Sequence, residues 1–442
     1  MRSFTDISAQ FRAGGSSPVS FLHECMKQIE DKEHEVQAFV VLKTDGALDL
    51  AAESEQRWRV GEQLSSIDGM PVGIKDIIET RDMATQCGSP FYRDYFSGRD
   101  SASVSALRRA GAIILGKTVT TEFAGPFASK TRNPWNTAHT PGGSSSGSAA
   151  AVASGMLPVA LGTQVIGSII RPASYCGTFA IKPSVGAINR GGSHDNLSQS
   201  SHGVLSASLE DGWNVLREIA ARVGGDPGSP ALNMHKHLLL TRRPVRIGVL
   251  NTSGYADAEP YAKKLFENFT RSLARMNIEV VGPHEHPLLE KIERTISDAQ
   301  GQSLEIVGYE SIWPLRPYLD QDASKLSLLL RDRVIRAEQQ SPEYYDELLQ
   351  TREVARALYV TGRETFDAYI TLSATGVAPV GLESTGSTVF NTPASYLGVP
   401  AVNLPVFVEN GLPIGLQVMG YAGSDFELVG VARGIQELQR QM

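Results

Sequence analysis

Apolar residues at Phe21, Leu22, Cys25 and Ile29 recur at helical spacing and predict a helix from Pro18 to about Asp31, followed by a short strand in "AFVVL". A second strand is predicted in "GMPVGIKD", entered by Pro71 and running through Val72 and Ile74 to Lys75. "SVSALRRAGAIILGKT" then reads as a helix closed by Gly111 and a buried strand, "AIILG". Between Thr140 and Gly155 the pattern gives way to small residues only: "TPGGSSSG" is a loop, and "SAAAVAS" forms a helix able to pack closely on neighbouring backbone. From 250 to 365 the chain is more charged and reads mostly as helices, one of them starting with Ser341 as N-cap and Pro342 in its first position, with Tyr345, Leu348 and Leu349 on one face. Short apolar runs broken by Gly and Pro return in "DAYITLSATGVAP" and "LGVPAVNLPVFVENGLPIGLQVMG", which predict strands and a hairpin at "VENGLP". Strand and helix alternate without an internal repeat or a long linker, so the pattern predicts one elaborated α/β domain.

Composition supports a soluble globular chain: 442 residues, 41% hydrophobic and 20% charged. A formal net charge of −7 gives no basic surplus to draw it onto nucleic acid or an anionic membrane. Three well-separated cysteines (Cys25, Cys87, Cys176) make neither a disulfide framework nor a zinc pattern, which fits a reducing cytoplasm. Cys176 reads as a buried small hydrophobe. The first residues lack the apolar core of a secretory signal, and no run of about 18 apolar residues follows. The expectation is a cytoplasmic protein that neither spans a membrane nor binds nucleic acid.

Several chemistries find little support in the residue types. "PGGSSSGSAAA" lacks the Lys and Ser or Thr that a phosphate-binding loop needs behind its last glycine. None of the nine histidines forms a His-x-x-x-His pair; His235 with His237 and His284 with His286 read as surface residues. His194 and His202 lie near the Gly/Ser region and read as pocket-wall or loop residues rather than bases, and no Gly-x-Ser-x-Gly elbow supports a Ser-His-Asp triad. No metal and no cofactor are expected.

Three features fit one assembly: Lys75 after "GMPVGI", the loop "GGSSSGSAAA", and "GTQVIGS" followed by "RPASYCG". Together with "NPWN", "IKPSVGAI" and "FNTPASYLGVPAVNLP" they resemble the amidase signature family of serine amidohydrolases, over most of the chain and more weakly from 240 to 365. The resemblance implies a single large domain with a central twisted mixed β-sheet flanked by helices on both faces. Within 1–442 it implies an N-terminal helical cap (1–60), a catalytic core (65–230), a mainly helical variable region (240–365) and C-terminal strands and helix completing the sheet (366–442). It makes Ser168 the nucleophile, Ser144 the bridging serine at a cis peptide, and Lys75 the base. The backbone N–H groups of Val165, Ile166, Gly167 and Ser168 become the oxyanion hole.

The chemistry explains these residue types. A serine hydroxyl must lose its proton as it attacks an amide carbon. A lysine with an ordinary pKa of about 10.4 is protonated at neutral pH, but burial at the end of an apolar strand lowers that value by desolvating the ammonium. Ser144 then relays the proton.

The commonest family pattern has Asp after "GT", two glycines before the serine and Arg two residues after it. Here those places hold Gln164, Ile166 with Gly167, and Ile170. Asp and Arg are missing together, as expected of a buried ion pair lost as a unit. If the position of Ile166 requires positive φ, a β-branched residue there is strained. Arg171, three residues after Ser168, is similar to the arginine of a malonamidase-like subgroup that binds a substrate carboxylate; Arg171 and Gly143 are therefore expected at the substrate. The reading is a cofactor-independent amidase that cleaves a small, carboxylate-bearing amide through an acyl-enzyme and acts as a homodimer. Two rival readings are the amidase subunit of a tRNA-dependent amidotransferase, which needs partner subunits, and a non-catalytic binding protein that keeps the pocket without the reaction.

Overall fold

The computed structural model describes residues 1–232 and 240–442, so that His235 and His237 lie outside the described residues. Eleven strands form one sheet: β1 (Phe39–Leu42), β2 (Pro71–Lys75), β3 (Ile113–Thr118), β4 (Val159–Gln164), β5 (Phe179–Lys182), β6 (Ser201–Ser206), β7 (Arg246–Val249), β8 (Glu279–Val281), β9 (Ala368–Leu372), β10 (Ala401–Glu409) and β11 (Leu412–Met419). Their order is β1-β3-β2-β4-β6-β5-β10-β11-β9-β7-β8. The sheet is mixed: β2 lies parallel to both β3 and β4, β7 lies parallel to β8 and β9, and the strands from β4 through β6, β5, β10 and β11 to β9 pair antiparallel.

Both faces are covered, which is why the central strands read as continuous apolar runs rather than alternating ones. In β3, Ile114 packs into one buried cluster with Val72, Ile74 and Leu161, whereas Ile113 and Leu115 pack into another with Ala160. The helices Ala102–Arg109, Leu209–Val223 and Asp425–Gln439 supply the first face, through Val104, Leu216 and Val429. Helix Ser146–Ala153 lies on the other, where Ala150, Ala151 and Val152 join Ile113 and Leu115. Its small side chains let its backbone come close to the sheet.

Most predicted elements appear with small shifts. The first long helix runs past Asp31 to Val36, opened by a capping box between Ser17 and Ser20 and ended by Gln37 at φ 53°. Its last turns are polar except for buried Val36, so the apolar spacing fades before the helix does. The hairpin turn is Asn410-Gly411, with φ 51° and 77°, the left-handed pair that a two-residue turn favours. Ser341 caps helix Pro342–Val360 by accepting from Tyr344 N–H at 3.2 Å.

Two short strands add detail to the mainly helical region. The stretch 240–365 is not helical alone: it also contributes β7 and β8, which extend the sheet beyond β9. The C-terminal strands β10 and β11 lie inside the sheet, between β5 and β9. Strands of four and three residues among long helices carry too few positions for a periodicity to register.

Candidate active site

Lys75 ends β2, between β3 and β4, and is fully buried. Its Nζ donates to Ser144 Oγ at 2.7 Å and to Thr163 Oγ1 at 2.8 Å, with the Thr163 carbonyl at 3.4 Å. Burial pushes its pKa down from 10.5 to about 7, opposed by the negative charge of Asp195. That displacement corresponds to roughly 5 kcal/mol between the two protonation states. Near neutral pH the amine is therefore free, for much of the time, to accept a proton.

Ser144 is set by the small-residue loop. Gly142 takes φ 80°, and the Gly143–Ser144 peptide is cis. A side chain on Gly143 would collide with Thr385 Cγ2, 2.7 Å from its ideal Cβ position. The next residue ties this loop to the Ser168 segment, since Ser145 N–H donates to the Ser168 carbonyl at 3.3 Å.

Ser168 lies on the turn between β4 and helix Ile170–Cys176 and reaches a cavity of about 990 Å³. Gln164 shapes this turn. Its Oε1 accepts from the N–H groups of Ile169 (2.9 Å) and Ile170 (3.0 Å), while its Nε2 donates to Ser395 Oγ at 3.0 Å. A neutral amide thus holds the helix start, and Ile170 is buried with Ile169 and Ala173 among apolar neighbours. The missing acid and base leave no stranded charge. Gln164→Leu should lower the unfolding free energy by about 2–4 kcal/mol, because two buried N–H groups lose their acceptor; urea denaturation measures it, and an unchanged midpoint and slope would contradict this role for Gln164.

The oxyanion-hole candidates sit on the same turn. Among the described residues, the N–H groups of Val165, Ile166, Gly167 and Ser168 have no backbone or side-chain acceptor. Val165, Ile166 and Ser168 line the cavity. Ile166 is absent from the non-glycine residues with positive φ, so the strain considered for a β-branched residue does not arise. That removes the feature that motivates a non-catalytic reading.

Arg171 also lines the cavity and is 4% exposed. Its Nη2 donates to the Gly143 carbonyl at 2.6 Å and Thr385 Oγ1 at 3.0 Å, and its Nη1 to the Gly386 carbonyl at 3.0 Å. Nε has no partner, and among the described residues no carboxylate pairs with the guanidinium. Burial pushes its pKa down to about 10, so it stays cationic at neutral pH. Gly143 is placed behind Arg171, as the carbonyl that anchors it, rather than among the residues lining the cavity.

Among the described residues no histidine joins the Lys75–Ser144 pair. His194 lines the cavity. His202 is buried in β6, opposite Thr163 in the β4–β6 register, with Nδ1 3.1 Å from Ser103 Oγ; it is a strand residue rather than a loop one. Burial drives its pKa down to about 3, helped by the charges of Arg190 and Lys75. His284 is exposed, but His286 is partly buried and caps helix Pro287–Ile296, accepting from Leu288 N–H at 3.2 Å. Cys176 is buried, and burial raises its thiol pKa. Among the described residues no group of three or more His, Cys, Asp or Glu is placed to hold a metal, and no helix is long and apolar enough to cross a membrane.

Sequence reasoning misses Thr163 as a partner of Lys75 and the loop at Thr385 and Gly386 as the holder of Arg171. Thr163 stands inside "GTQ", but its contact depends on β2 and β4 being parallel neighbours, a fact of sheet order. The 385–386 loop is more than 200 positions from Arg171, with no local signal linking them.

The fold and these motifs define a class. Residues 20–429 match the family model described as Amidase, and the chain belongs to that family, whose members act on amide C–N bonds. It is 30% identical over 470 residues to a glutamyl-tRNA(Gln) amidotransferase subunit of Endomicrobium trichonymphae, covering 98% of this chain and 96% of that one. The peptide amidase of Stenotrophomonas maltophilia superposes with a TM-score of 0.77 at 26% identity, covering 99% of this chain and 97% of the other. A chain from a protein complex bearing on the origins of an s-triazine catabolic enzyme shares the fold, with a TM-score of 0.86 at 24% identity and coverage of 99% and 98%.

Proposed function

We propose that the protein hydrolyses a small, carboxylate-bearing amide through an acyl-enzyme on Ser168. The observation that carries this reading is the 2.7 Å hydrogen bond between fully buried Lys75 and Ser144, in the loop bonded to the Ser168 turn. Ser168 Oγ attacks the amide carbon while its proton passes to Ser144 and the Ser144 proton passes to Lys75 Nζ. The carbonyl oxygen becomes an oxyanion facing the free N–H groups of residues 165–168, the arrangement that stabilises such a charge most effectively in a water-poor site. As the C–N bond breaks, the proton returns by the same route to the departing nitrogen. Water then attacks the acyl carbon, giving its proton to the relay and releasing the acid and free Ser168.

Arg171 supports the carboxylate. A buried guanidinium without an acidic partner is costly, and beyond its bonds to Gly143, Thr385 and Gly386 it keeps an Nη1 hydrogen to donate to a carboxylate. Arg171→Met should raise KM for malonamate by roughly 10- to 100-fold, the range of a hydrogen bond to a charged group, and leave malonamide little changed. Ammonia release from the two compounds is the measurement; equal losses on both would remove Arg171 from carboxylate recognition.

The sequence relatives favour a second reading of the same chemistry more directly than they favour a free-standing enzyme. Near-complete coverage of a glutamyl-tRNA(Gln) amidotransferase subunit at 30% identity supports an amidase subunit whose ammonia is used for transfer to glutamyl-tRNA with partner subunits. Purification of the lone chain separates the two. Turnover of malonamate by the chain alone supports the free-standing amidase, whereas ammonia release that requires added partner subunits supports the amidotransferase.

A further inference from the structure

The acyl-enzyme mechanism leaves one buried charge in the cavity unused. Asp195 lies in the segment between β5 and β6, which is pinned beneath the end of β2 by a Ser193–Ile78 bridge and by His194 N–H donating to the Ile77 carbonyl at 3.0 Å. Asp195 lines the same cavity as Ser168 and Arg171 and is only 5% exposed. Oδ1 accepts from Ser200 Oγ. Oδ2 is buried with no partner, and among the described residues no cation forms an ion pair with Asp195.

A carboxylate oxygen left unbonded in a buried wall is expensive unless something else completes it. Arg171 does not, because it is held on the other side by Gly143, Thr385 and Gly386. Among the described residues the cavity lining therefore carries two guanidinium groups without an acidic partner, Arg171 and Arg333, and one carboxylate, Asp195, with an unpartnered oxygen. A ligand that satisfies both Arg171 and Asp195 has a carboxylate at one end and N–H donors at the other. The direction follows from the relay: the Ser193–Ile78 bridge and the His194–Ile77 bond set the Asp195 segment beside the end of the strand that carries Lys75, and the departing nitrogen must lie on the side from which Lys75 and Ser144 return the proton.

We propose that Asp195 forms a leaving-group subsite whose Oδ2 accepts an N–H of the departing nitrogen, so that the site takes primary or ureido amides and discriminates against esters of the same acid. The proposal rests on the acyl-enzyme reading above. An ester offers no N–H there, and its leaving oxygen would set lone pairs against the carboxylate. Sites built to hydrogen-bond a substrate donor reject analogues lacking it for this reason.

The test compares malonamate with monomethyl malonate. The unaltered protein is expected to cleave the amide with a kcat/KM on the order of 10-fold above that for the ester, although the ester is chemically easier to cleave. In Asp195→Asn, kcat/KM for the amide should fall roughly 10- to 100-fold while that for the ester holds or rises. Ser200→Ala, which removes the bond to the other oxygen together with the acceptor of Leu197 N–H, should keep the amide-to-ester ratio. An ester preference in the unaltered protein overturns the subsite, as does an equal loss on both compounds in Asp195→Asn. Sulfonylation of Ser168 by phenylmethylsulfonyl fluoride separates this from failure of the mechanism: absent labelling rejects the nucleophile, whereas retained labelling with an unchanged ratio rejects Asp195 alone.

Discussion

Ser168→Ala is expected to reduce amide turnover by on the order of 10⁴- to 10⁶-fold, with the remaining rate coming from binding and the oxyanion hole alone. The loss should fall on kcat, since no other nucleophile stands in the cavity position of Ser168. Cys176, eight residues on, cannot replace it, because the thiol is buried and its pKa is pushed up. Ammonia release under single-turnover conditions measures the effect. Retention of more than about a hundredth of the rate would mean that the covalent step runs elsewhere or not at all.

Lys75→Ala should cost on the order of 10³-fold or more, because both serines lose the group that takes their proton. The pH dependence supplies the sign. The proposed base works as the neutral amine, and its pKa is pushed down to about 7. Below that value the ammonium predominates and kcat/KM falls tenfold per pH unit; above it the rate reaches a plateau. An ordinary lysine would place the same limb above pH 10. The Lys75→Ala variant should lose the limb along with the rate.

The elements with strong local signals are legible in the sequence. Pro71 to Lys75, the helix and strand around Gly111, the Ser341 cap and the Asn410-Gly411 turn each carry their own backbone chemistry, and each appears close to where the pattern puts it. β7 and β8 do not, because three or four residues hold no period and their strand character comes from lying beside β9.

The same division runs through the site. Lys75 and Ser144 are recognisable from residue type and motif, and the 2.7 Å bond between them joins positions 69 apart. Gln164 is visible as a departure from the common motif, but its compensation by two backbone N–H groups and Ser395 requires the turn to be folded. Ile166 looks strained from its side chain alone, whereas the backbone takes a conformation open to any residue. Asp195 carries no motif. Its significance comes from a buried, unpartnered oxygen on a residue of the cavity lining that Arg171 shares, a property of the assembled cavity.

Pure protein and its Lys75→Ala variant, treated with phenylmethylsulfonyl fluoride across pH 5–9 (the range within about two units of the expected midpoint) and mapped by peptide mass spectrometry, test the central claim most directly. One adduct is expected, on Ser168, forming at a rate that is half-maximal near pH 7 and nearly abolished without Lys75. An adduct on another residue, or labelling of Ser168 that is equally fast in the variant, would contradict it.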